Sequence, residues 1–92
     1  MSGELAFRKA LMQADRGDTA AAEATLRGLL DGEPAGLLRV RALVVLGELL
    51  CTHDHPIARD VLTEALAVAE QIEDVDDLLD VELSRARELL ST

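Results

Sequence analysis

The sequence predicts an all-α domain, and three observations carry that expectation. The apolar residues are almost entirely aliphatic, with Phe7 the only aromatic in 92 residues. Alanine and leucine, both strong helix formers, dominate, and Val44-Val45 is the one adjacent β-branched pair. Apolar residues recur at three- and four-residue spacing rather than in strict alternation. Two prolines and six glycines leave few of the turns a β fold needs. At this length the chain makes one domain, near the small end of what folds unaided.

Five antiparallel helices are expected. The first runs from about Glu4 to Asp15, with Leu5, Phe7, Leu11, Met12 and the alanines as its apolar side and Glu4–Arg8 as an i,i+4 pair. Gly17 suits a left-handed C′ position, and Asp18 suits the next N-cap. The second runs from about Thr19 to Leu30, with Ala22, Leu26, Leu29 and Leu30 on one stripe and Glu23–Arg27 paired outside. Asp31-Gly32 ends it, and Pro34 suits the first turn of the third helix, where a missing N–H costs nothing.

The third helix is the centre. From Leu37 to Cys51 only Arg39, Arg41, Gly47 and Glu48 are not apolar. A helix that is apolar nearly all round is buried on more than one side. It is too short and too charged to span a bilayer. Thr52 to Pro56 breaks it, with Asp54 or His55 as the next cap. The fourth helix runs from about Pro56 to Ile72, with Ala58, Val61, Leu62, Ala65, Leu66, Ala69 and Ile72 inward. Asp74 is expected to cap a fifth helix over about 75–90, with Val75, Leu78, Leu79, Leu83, Ala86 and Leu90 inward. Short connections make sequential helices antiparallel neighbours.

Net charge is -9, unevenly placed: residues 70–82 hold seven acidic residues and no basic one. Such a chain repels phosphate, so nucleic acid and anionic membrane surfaces are poor partners. The acidic run reads either as a solvated helix junction or as a docking patch for a basic partner. Cys51 is the only cysteine, so no internal disulfide can form and a reducing compartment fits. Nothing at the N-terminus has a secretory pattern, and the expected location is cytoplasmic.

The chain also repeats itself. At a shift of 36, Ala22 falls on Ala58, Leu26 on Leu62, Leu29 on Ala65 and Leu30 on Leu66. At a shift of 37, Ala10 falls on Gly47 and then on Ser84, Leu46 on Leu83, and Met12, Leu49 and Ala86 align. A period near 36 in helical pairs signals a solenoid. Leu46-Gly47-Glu48-Leu49-Leu50 and Ala58-x3-Leu62, with Gly17-Asp18, Ala22-x3-Leu26 and Pro34 in the first unit, resemble the signature of the tetratricopeptide repeat family. The sequence departs from that pattern at Lys9, which takes a Leu slot, and at every aromatic slot, which is aliphatic. The resemblance implies a right-handed solenoid of two helical hairpins (about 4–31 and 34–72) plus a C-terminal capping helix (about 75–90). Gly47 and Ala58 are small where paired helices cross closely. An ordinary antiparallel bundle is the alternative.

The same resemblance implies that the first helices of each pair line a face that binds a peptide or an amphipathic helix. By position that face takes Phe7, Leu11, Arg41, Val44, Glu48, Leu78, Val81 and Arg85, an apolar groove with a few charges. Leu11, Val44 and Val81 read equally as core. Small bacterial proteins with the fold this resemblance implies often act as secretion chaperones or assembly factors, and the expected role is an adaptor or chaperone-like module. The chain has no Asn, so the family's clamp for chaperone C-terminal carboxylates is not expected. Val81 and Leu89 lie outside the main stripe of the fifth helix, which points to a homodimer through that helix and to self-assembly as the second reading. Cys51, His53, Asp54 and His55 resemble metal ligands in spacing, but no closed four-ligand site is expected, nor any cofactor. A Cys–His nucleophile pair lacks an orienting third group and oxyanion donors, so no enzyme is expected.

Overall fold

The computed structural model describes residues 3–32, 35–53 and 55–91, with His55 described by its backbone alone. Among these there are six helices and no strand: α1 Gly3–Asp15, α2 Thr19–Gly32, α3 Leu37–Leu50, α4 His55–Ala69, α5 Val75–Leu78 and α6 Asp80–Leu90. The all-α expectation is met. The fifth helix is two, and the fourth stops at Ala69 rather than Ile72.

The turn between α1 and α2 forms as the residues dictate. Gly17 sits at φ 81°, a left-handed conformation that glycine adopts without a Cβ clash. The Asp18 carboxylate accepts a hydrogen bond from the Ala21 amide at 3.2 Å, satisfying one of the orphan N–H groups of α2. Asp18→Ala is expected to cost about 1 kcal/mol, read as a lowered urea midpoint with an unchanged slope. Pro34 and Asp54, placed above at the starts of the third and fourth helices, lie outside the described residues, as does the side chain of His55.

α1 buries a narrower face than its sequence suggests. Phe7 and Ala10 are buried, with Ala6, Gln13 and Ala14 half-buried, while Leu5 and Met12 are more than half exposed. The small alanines let α1 approach α2 closely, and that turns the larger leucine and methionine side chains outward. α2 buries Ala22, Leu26 and Leu29 of its expected stripe, and α4 buries Ala58, Leu62, Ala65 and Ala69; Leu30, Val61 and Leu66 are half-buried.

α3 is the centre of the domain. It gives Ala42, Leu46 and Leu50 to one cluster, with Phe7, Ala10, Leu26, Leu29 and Ala58. It gives Val40, Leu43 and Val44 to a second, with Leu62, Ala65, Ala69, Leu79, Leu83 and Ala86. At the shift of 36, Ala22 and Ala58 are both fully buried, as are Leu26 and Leu62; at the shift of 37, Ser84 is exposed where Ala10 and Gly47 are buried, and Met12 is exposed where Ala86 is buried. A Cβ built on Gly47 would lie 2.5 Å from Leu62 Cγ and Cδ2, so α3 and α4 touch where glycine was expected to permit it.

The break between α5 and α6 falls at Leu79, which is 3% exposed and leaves helical geometry at φ -126°, ψ 32°. The acidic run surrounds it. Aspartate is a weak helix former, and Asp76 and Asp80 stand four apart with like charge, so local helix stability is lowest here. Burial of Leu79 then sets the backbone. Asp74 does not cap α5 with its side chain. It takes a left-handed conformation (φ 57°), and its carbonyl accepts from the Asp77 and Leu78 amides at 3.1 Å.

Packing runs along the chain. α1 packs on α2, α3 packs on both, α3 pairs with α4, and α6 packs on α3 and α4. Among the described residues no substantial packing joins α1 to α6. The shortest dimension of the molecule, 19 Å, is about two helix diameters.

Candidate functional site

Side chains from α1, α3 and α6 converge on one surface. The Arg41 guanidinium lies 4.8 Å from the centroid of the Phe7 ring, and its Nε lies 3.2 Å from Glu82 Oε2. About two turns further along α3, Glu48 Oε1 lies 3.8 Å from Arg85 Nε, and Arg85 also donates to Glu88 at 2.8 Å. One chain of contacts, Phe7–Arg41–Glu82, therefore crosses all three helices, and a second, Glu48–Arg85–Glu88, joins α3 to α6. Arg41, Glu48 and Arg85 are each 40–44% exposed at the side chain, so these charges reach water and can be exchanged for a partner's. Exposed pairs of this kind contribute about 0–1 kcal/mol each to folding.

Of the eight residues placed on the expected groove, Phe7 and Val44 are buried, and neither lines an open surface. Phe7 is held in the α1–α2–α3 core under Arg41, and Val44 is covered by α6. Leu11 is 36% exposed and Arg41, Glu48 and Arg85 are accessible. Leu78 and Val81 are exposed, at 58% and 77%, on α5 and the first turn of α6. The packing of successive helices thus takes Phe7 and Val44 from the expected groove and leaves three apolar and three charged members of it accessible. Sequence reasoning missed Glu82 and Glu88. Their spacing from Arg85 (three residues each) was the available signal.

Leu89 was placed outside the main stripe of the last helix, but it is half-buried against the second core cluster. Val81 is left as the exposed apolar residue of α6.

The loop after α3 is organised by polar contacts. His53 Nε2 lies 3.1 Å from Glu23 Oε1 on α2, so Glu23 faces this loop rather than Arg27. Thr52 donates its hydroxyl proton to the Leu49 carbonyl at 3.0 Å, which commits it to the end of α3. Cys51 is half-buried against both core clusters. Among the described residues no group of three His, Cys, Asp or Glu side chains could hold a metal ion, and no helix is long and apolar enough to cross a membrane. A cavity of about 370 Å³ between α4, α5 and α6 is lined by Leu66, Ala69, Val75 and Leu83, with Glu70, Asp76 and Arg87 also on its walls.

Arg39 and Arg59 serve the fold. Arg39 donates to the Leu30 carbonyl at 3.1 Å and pairs with Glu64, tying α2 to α4 through α3. Arg59 donates to the Leu90 carbonyl at 2.9 Å and holds the end of α6. No protein-family model matches the chain, and no match was found among curated proteins or solved structures.

Proposed function

We propose that this chain is a protein-interaction module of the tetratricopeptide-like kind, an adaptor or chaperone-like domain that holds a partner's peptide or helix on the surface of α1, α3 and α6. Two hairpins, α1–α2 and α3–α4, stack in order, and α5–α6 covers the second. The absence of substantial packing between α1 and α6 among the described residues supports an open stack over a closed bundle. The observation that carries the functional reading is the convergence of Arg41, Glu48 and Arg85, from two helices, on one accessible surface.

In this reading the partner supplies an apolar side chain against Leu11 and charges that exchange with the existing ion pairs. Charged groups at such a surface fix register and encounter rate more than raw affinity. The test is affinity capture from the native host followed by titration with the captured partner. Arg41→Glu and Arg85→Glu are expected to weaken binding by about tenfold or more each while the helical circular dichroism is unchanged. Unchanged affinity in both variants would sink the proposal.

A further inference from the structure

The two ends of the helical stack complement each other, and the repeat shows in what register. α3 seats itself on the α1–α2 hairpin with Ala42, Val45, Leu46 and Leu49. Thirty-seven residues earlier, at the shift that aligns Ala10 with Gly47, stand Leu5, Arg8, Lys9 and Met12 on α1. All four are exposed, Leu5 by 54% and Met12 by 52%. In the other direction, α3 presents Val40, Leu43 and Val44 to α6. Thirty-seven residues later stand Asp77, Asp80 and Val81, again all exposed. One end therefore offers two apolar side chains flanked by two cations, and the other offers Val81 flanked by two anions. Neither Arg8 nor Lys9 forms an ion pair with a described residue, and the same is true of Asp77 and Asp80.

We infer that the α1 end of one molecule docks on the α5–α6 end of a second copy, continuing the stack head to tail. The inference rests on the stacked-hairpin reading proposed above. The α1–α2 hairpin of the first molecule stands to α6 of the second copy as α3–α4 stands to α1, so Leu5 and Met12 cover Val81, and Arg8 and Lys9 face Asp77 and Asp80. A second copy is the occupant because the two faces match in charge as well as in register. Such a contact is heterologous and does not close on itself after one addition.

Sedimentation velocity and light scattering of the full chain at rising concentration test this. The native chain is expected to grow past the dimer at low salt and to dissociate at high salt, with the association constant falling by about tenfold or more. The double variant Arg8→Glu/Lys9→Glu and the double variant Asp77→Lys/Asp80→Lys are each expected to be monomeric alone, because each then presents like charges at the joint. Mixed one to one, they are expected to reassemble, since each reversed face meets a reversed partner. Val81→Asp, at a position 77% exposed, is expected to remove assembly without altering helical content.

A native chain that stays monomeric at millimolar concentration and low salt overturns the docking. So does a dimer that survives both charge reversals, or a mixture that fails to reassemble. Nuclear Overhauser contacts between α1 and α3 and between α3 and α6, measured on the monomeric Arg8→Glu/Lys9→Glu variant, report the stack separately. Their absence overturns the stack; their presence with a monomeric native chain overturns the docking alone.

Discussion

Leu46→Ala will lower the unfolding free energy by about 4 kcal/mol, in the upper half of the range for a buried leucine. Leu46 is 1% exposed in a cluster to which α1, α2, α3 and α4 all contribute. Three of its companions there are Ala10, Ala42 and Ala58, whose side chains have no rotamers with which to fill a void. The cavity therefore persists, and the cavity cost adds to the lost transfer energy. A domain of this length has about 5–14 kcal/mol in all, so the variant stands close to the unfolding threshold at moderate temperature. Urea titration followed by circular dichroism reads the loss. Val81→Ala, at 77% exposure, is the control and is expected to change stability by about 0.5 kcal/mol or less. A loss below about 1 kcal/mol for Leu46→Ala would mean that α3 is not the element around which the others pack.

The centrality of α3 was legible because periodicity reports burial directly. Eleven apolar residues in fifteen leave only a narrow polar strip at Arg41 and Glu48 for solvent, and the structure places α3 between both clusters. The Gly17–Asp18 turn was legible for a local reason: a left-handed glycine and a carboxylate cap act within four residues of chain. The α1 face was not, because Leu5 and Met12 satisfy helical spacing as well as Ala6 and Ala10 do. Which stripe is buried depends on how closely α2 approaches, and a single helix does not carry that information. The break at Leu79 was hidden for a similar reason. Val75, Leu79, Leu83, Ala86 and Leu90 form an unbroken stripe on paper, and the cost of the crowded aspartates appears only against the tertiary burial of Leu79. Among the candidate site residues, Leu11, Leu78, Val81 and the three charged ones stay accessible, and Phe7 and Val44 do not. Arg41, Glu48 and Arg85 stay accessible because burying a charge without full compensation is costly. Phe7 and Val44 were claimed by the packing between successive helices.

The contact between Gly47 and Leu62 yields a prediction whose sign depends on background. Alanine is worth about 1 kcal/mol more than glycine in the middle of a helix. Against that gain, a Cβ at position 47 would sit 2.5 Å from both Cγ and Cδ2 of Leu62, closer than real side-chain contacts come. Cγ is not the free tip of a flexible chain, so Leu62 or the α4 axis must move. Overpacking of this kind costs about 1–3 kcal/mol. Gly47→Ala is therefore expected to be destabilising by about 1 kcal/mol despite its better propensity, and Gly47→Val by about 3 kcal/mol, since a second and third carbon enter the same space. Leu62→Ala, 1% exposed, costs about 2–5 kcal/mol by itself. In the Leu62→Ala background, however, the obstruction is gone and only the propensity remains, so Gly47→Ala is expected to become stabilising by about 0.5–1 kcal/mol. The coupling energy in the double-mutant cycle is then about 1.5–2 kcal/mol in favour of the double variant. Equal effects of Gly47→Ala in both backgrounds would show that α3 and α4 do not meet at this pair, and the close crossing on which the hairpin depends would have to be placed elsewhere.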